Sequence, residues 1–105
     1  MIAVFDTNVL VSGLLNPFGR PADALRLVLA GDAQLAYDTR IMAEYREVLR
    51  RPRFAFAPAD VAALLDFIAA EGLAVNAVPL AVRLPDPHDL PFIEVARATD
   101  ATLVT

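Results

Sequence analysis

Three acids in separate stretches carry the chemistry open to this chain. Asp6 follows the apolar run Ile2-Ala3-Val4-Phe5 and precedes Thr7 and Asn8. Glu44 opens Glu44-Tyr45-Arg46-Glu47, and Asp89 closes Asp86-Pro87-His88-Asp89. Carboxylates gathered at one point repel, and a divalent cation is the commonest thing that keeps them ionised together. Oxygen donors without Cys or paired His favour Mg²⁺ or Mn²⁺ over zinc. The chain has no cysteine, and His88 is its only histidine. The same shortage leaves little for a thiol nucleophile or a histidine-based triad. Thr7 and Asn8 can orient Asp6 or bond a water beside it, Ser12 lies one turn beyond Asn8, and Asp86 is a further acid behind Asp89.

Each residue also has a plainer role. Asp6 suits the cap of a following helix, and Asp89, two residues before Pro91, suits another. Glu44 sits on the flank of an apolar stripe and can pair with Arg40, four residues earlier. Thr7 and Asn8 are common turn and cap residues. His88 is either a proton shuttle or a solvent-facing loop side chain. All nine basic residues are arginines, and Arg46, Arg50, Arg51 and Arg53 cluster. They form either a solvated face or a phosphate-binding ridge, since the guanidinium fork suits phosphate. A net charge of −4 argues against strong non-specific binding to nucleic acid.

The elements that must position these groups alternate strand and helix, which predicts an α/β parallel sheet. Ile2 to Phe5 reads as a buried strand, and ligands bind beyond the carboxyl ends of such strands. A short helix is expected over Val9–Leu15, ending before Asn16-Pro17-Phe18-Gly19. The next begins near Pro21, has an apolar face of Leu25, Val28 and Leu29, and ends at Gly31. Gln34–Tyr37 is a second strand. A third helix, capped by Asp38 or Thr39, runs to about Arg51 before Pro52, with a connector over Arg53–Ala57. A fourth runs from Pro58 through Val61, Leu64, Leu65 and Ile68 to Gly72. Leu73–Val78 reads as a third strand, Pro79–Pro87 as a loop, and a fifth helix starts near Pro91. Ala101–Thr105 is the fourth strand. Right-handed crossovers would bring Asp6, Glu44 and Asp89 to one sheet edge.

With 105 residues, 57% of them hydrophobic, the chain suits one domain with a real core. No run is apolar enough to span a bilayer, and the N-terminus lacks a secretory signal, so a cytoplasmic protein is expected. Aspartyl-phosphate chemistry is disfavoured: the position two beyond Asp6 is Asn8, and the chain has no lysine.

Asp6-Thr7-Asn8-Val9-Leu10, Glu44-Tyr45-Arg46-Glu47-Val48-Leu49, Asp86-Pro87-His88-Asp89-Leu90-Pro91-Phe92 and the closing Leu103-Val104-Thr105 together resemble the PIN-domain nucleases. The branch most resembled is that of toxin components of toxin–antitoxin systems. The resemblance implies a three-layer α/β/α sandwich and Mg²⁺- or Mn²⁺-dependent endonucleolytic cleavage of single-stranded RNA. It implies that Asp6, Glu44 and Asp89 match the metal-binding acids, with Thr7 or Asn8 and Ser12 in support. An antitoxin protein is the implied partner. His88 stands where the branch often has another Asp. The family pattern also continues past Thr105 into a further acid and a fifth strand. A domain spanning 1–105 would then be C-terminally incomplete, with a sheet of about four strands and an unpaired edge inviting a homodimer. The alternative function is a catalytically impaired fragment acting as a binding or dimerisation module.

Overall fold

A computed structural model of the chain describes residues 1–81 and 83–105. In chain order the elements are β1 (Ile2–Phe5), α1 (Thr7–Leu15), α2 (Arg20–Leu29), β2 (Gln34–Tyr37) and α3 (Thr39–Leu49). They continue as α4 (Pro58–Glu71), β3 (Leu73–Ala74), α5 (Leu90–Thr99) and β4 (Thr102–Val104). Short 3₁₀ turns stand at Pro52–Phe54, at the start of the expected connector, and at Pro87–Asp89. Among the described residues, no helix is long and apolar enough to cross a membrane.

The sheet is fully parallel, in the order β3-β2-β1-β4. Its register sets Ala3 beside Leu35 on one side and Thr102 on the other. The chain crosses from β1 to β2 to β3 in one direction, then returns past β1 to reach β4. Helices cover both faces of this sheet, the expected three-layer α/β/α arrangement, with α5 packed against β1 and β2 and also meeting α3. The order reverses between β1 and β4, and the gap beyond their carboxyl ends is where open α/β sheets bind ligands.

Both faces of β1 are buried, as its unbroken apolar run requires: Ala3, Val4 and Phe5 are all sealed from solvent. Leu10, Ile41, Tyr45, Leu49, Ile68 and Val95 pack around it and β2 to form the core. Gly31 takes a positive φ of 83° just beyond α2, the left-handed stop that glycine adopts cheaply. Gly72 answers a different need. A Cβ there would lie 2.4 Å from the Ile68 carbonyl oxygen and 2.8 Å from that of Leu35. Only a bare α-carbon lets α4 close so tightly on β2.

Several boundaries differ from expectation. The first helix begins at Thr7 rather than Val9, because Asp6 caps it, and this puts Thr7 and Asn8 in its first turn. Leu29, expected on the apolar face of α2, is exposed at the helix end. The third strand is two residues long rather than six. One further ladder bond follows, from the Val75 N–H to the Tyr37 carbonyl. Beyond it Pro79 has no N–H to donate, and the Leu80 N–H donates to the Glu94 carboxylate instead. The loop expected over Pro79–Pro87 includes Val82, which lies outside the described residues.

Candidate functional site at the carboxyl edge of the sheet

β1 delivers Asp6 to the point where the strand order reverses. The Asp6 backbone N–H donates to the Val104 carbonyl at 3.0 Å, tying the corner to the end of β4. Its carboxylate accepts from the Asn8 N–H at a long 3.4 Å, so the capping role is real but engages one oxygen weakly. Asp6 and Asp89 together line a cleft of about 160 Å³, walled by Phe92, Ile93, Leu103 and Thr105. Asp89 is exposed, and its side chain makes no capping bond to α5. The capping role open to it in the sequence falls instead to Asp86 one turn earlier, whose Oδ1 accepts the His88 N–H at 2.9 Å.

Glu44 reaches the same corner from α3. It does not pair with Arg40. The buried Thr7 hydroxyl donates to its Oε2, so the first turn of α1 and the second turn of α3 meet through this carboxylate. Beneath them lies Tyr45, wholly buried, whose hydroxyl donates to the Phe5 carbonyl at 2.6 Å. Burial, and then the negative charges of Asp6 and Glu44, push its ionisation far above the ordinary range. Tyr45 is thus a fixed neutral donor that locks α3 to the end of β1, with both carboxylates close enough to oppose its charge.

Asp6 thus shares a cleft with Asp89, and Glu44 stands alongside through Thr7. Among the described residues, no three His, Cys, Asp or Glu side chains stand close enough to hold a metal ion by themselves. Asn8 and Ser12 are exposed on α1, and Asp86 and His88 are exposed on the turn before α5; none of the four lines the cleft. The arginines are dispersed. Arg46 lines a separate cleft of about 300 Å³ between α3 and α4, with Tyr37, Thr39 and Asp66. Arg50 is exposed, Arg51 pairs with Glu47 at 2.8 Å, and Arg53 lies 4.8 Å above the Phe54 ring.

Arg40 and Glu94 were not among the expected site residues as a pair. The Glu94 side chain is 1% exposed and pairs with Arg40 at 2.7 Å. The readable signal was an acid inside the apolar run Phe92, Ile93, Val95, Ala96, where a carboxylate needs a buried partner. Its partner, 54 residues away, could not be read from spacing.

A larger cleft, about 480 Å³, lies at the opposite edge between the ends of α2 and α4, against Gln34 and Gly72, and Glu71 is the only acid lining it among the described residues. The family model for the PIN domain matches residues 3–105. No curated protein and no solved structure matches the chain. With the match spanning nearly the whole fold, the chain belongs to the PIN-domain family, whose members are generally nucleases that act on nucleic acid with divalent metal ions.

Proposed function

We propose that this chain is an endoribonuclease that hydrolyses single-stranded RNA with Mg²⁺ or Mn²⁺, as the toxin of a cytoplasmic toxin–antitoxin pair. The observation that carries the reading is the shared cleft of Asp6 and Asp89 at the strand-order reversal, with Glu44 tethered beside it. The donor set fits a hard dication. It is all oxygen, and Mg²⁺ typically keeps several waters while bound through one or two carboxylates and substrate phosphate.

Asp6 and Asp89 would hold the ion from β1 and α5, with Glu44 as the third acid at its margin. When bound, the ion supplies a more acidic water and neutralises charge on the phosphoryl oxygens. The chain's own groups do the rest. Thr7 holds Glu44 in one rotamer and leaves its second oxygen to accept a proton from the attacking water. Tyr45 fixes the Phe5 carbonyl, and so the corner that aims Asp6. Phe92, Ile93 and Leu103 give the cleft an apolar wall that limits bulk water. In-line attack by water releases a 3′-hydroxyl and a 5′-phosphate.

Arg46, exposed on the helix that carries Glu44, and Arg50, exposed just beyond its end, are the arginines best placed to contact RNA phosphates. Leu14 and Leu15 at the end of α1 are exposed, as is Phe18 in the turn that follows, by 93%, and they support a protein partner such as an antitoxin or a second copy. A non-catalytic binding or dimerisation module is the rival reading, favoured by the lack of a three-carboxylate group among the described residues. A cleavage assay on labelled single-stranded RNA, with and without Mn²⁺, compares the native chain with Asp6→Asn. Cleavage that needs Mn²⁺ and vanishes in the variant supports the nuclease; no cleavage by either chain supports the module.

A further inference from the structure

Arg40 sits at the centre of an ionic network beside the candidate site. Its Nε and Nη2 donate to Asp38 Oδ2 at 2.8 and 2.6 Å, and its Nη1 donates to Glu94 Oε1 at 2.7 Å. The remaining oxygens are also used. Asp38 Oδ1 caps α3 by accepting the Ile41 N–H at 2.9 Å, and Glu94 Oε2 accepts the Leu80 N–H at 2.5 Å. One guanidinium thus ties together the end of β2, the first turn of α3, the middle of α5 and the segment leading toward Asp86.

Its place on the helices gives this network a consequence. Arg40 lies one turn before Glu44 on α3, and Glu94 lies five residues after Asp89, on the helix that Asp89 leads. The network therefore bridges the two elements that carry Glu44 and Asp89, which the chain brings in on separate crossovers. We propose that Arg40, clamped between Asp38 and Glu94, is a positioning residue that sets the spacing of Glu44 and Asp89, and with it the affinity of the site for a divalent cation. The proposal rests on reading those acids as the metal-binding set.

Two physical points favour positioning over other roles. A buried ion pair is a weak source of stability, since apolar residues of similar volume often serve as well. Here Phe92 and Val95, beside Glu94 in the chain, are already buried apolar side chains, so an apolar residue at 94 would suit the core. Nor is Arg40 a phosphate anchor. Its one positive charge faces two carboxylates, leaving the network net negative, and each of its nitrogens already has an acceptor. What an arginine fork adds over apolar packing is fixed geometry, which a lysine point charge cannot supply to both acids.

The test is Mn²⁺ binding to the purified chain, followed by electron paramagnetic resonance without RNA, for the native chain, Arg40→Lys and Glu94→Gln. Arg40 is 45% exposed, so lysine fits there without repacking, and circular dichroism checks the fold of each variant. Both variants should bind Mn²⁺ about 10- to 100-fold more weakly, the effect typical of groups that orient metal ligands. Cleavage by Arg40→Lys should then recover as Mn²⁺ is raised. Native-like Mn²⁺ affinity in folded Arg40→Lys overturns the clamp and leaves the metal reading standing. A native chain that binds no Mn²⁺ overturns the metal reading itself, and the clamp with it.

Discussion

The two edges of the sheet differ in a way that cavity size misreports. The amino edge holds the larger of the two clefts, about 480 Å³ against about 160 Å³, yet Glu71 is its only acid among the described residues. α2 and α4 end there, so the groups facing solvent are helix C-termini and their spare carbonyls. At the carboxyl edge α1, α3 and α5 begin instead. Their N-termini favour nearby negative charge, whether side-chain carboxylates or the phosphates of a substrate. A parallel sheet with helical crossovers therefore sorts chemistry to one edge before any particular residue is chosen.

Substitutions at the two edges should separate activity from stability. The largest effect is expected from Asp6→Asn, which keeps the side-chain shape and can still cap α1. It should lower RNA cleavage by more than about 100-fold, beyond the loss typical of a merely supporting group, while leaving the melting temperature near native. At the other edge, Gly72→Ala should do the reverse. Its Cβ meets two backbone carbonyls at 2.4 and 2.8 Å, and such overpacking costs about 1–3 kcal/mol in denaturant titration. Activity per folded molecule should hold.

Thr7→Val probes the tether at the carboxyl edge without touching a carboxylate. It removes the hydroxyl that holds Glu44 and should lower kcat by about 10-fold at saturating Mn²⁺. Glu94→Gln changes the acid limb of stability. The Leu80 N–H, and then Arg40, hold the Glu94 carboxyl below its usual range, opposed by burial. That stability is present in full above the unfolded value of about 4.3 and is lost as pH falls through the folded value. Unfolding midpoints measured from pH 7 down to pH 3 should thus fall less steeply for Glu94→Gln than for the native chain. Arg51→Ala is the smallest change. It breaks an exposed pair with Glu47 and should cost no more than about 0.5 kcal/mol.

Much of this arrangement was legible in the sequence because it rests on local rules. The apolar run before Asp6 marks a buried strand, Pro58 and Gly72 bracket α4, and Asp38 caps α3. The features that escaped depend on distant partners. β3 ends at Ala74, and beyond it the Leu80 N–H is taken by a carboxylate on α5, a bond no local pattern encodes. Arg40 reads as the natural partner of Glu44 four residues on, yet it turns to Asp38 and Glu94, leaving Glu44 to Thr7. The acids Asp6 and Glu44 stand out by position alone, whereas Tyr45 looks like an ordinary core residue, and Thr7 like a partner of Asp6 rather than of Glu44, until the helices are in place.

Anomalous diffraction from crystals soaked in Mn²⁺ tests the central claim most directly. A single strong peak in the cleft between the Asp6 and Asp89 carboxylates, on the side facing Glu44, is the predicted result, and Asp6→Asn crystals should lack it. Full occupancy elsewhere, or a clean map at that corner in well-ordered native crystals, would contradict it.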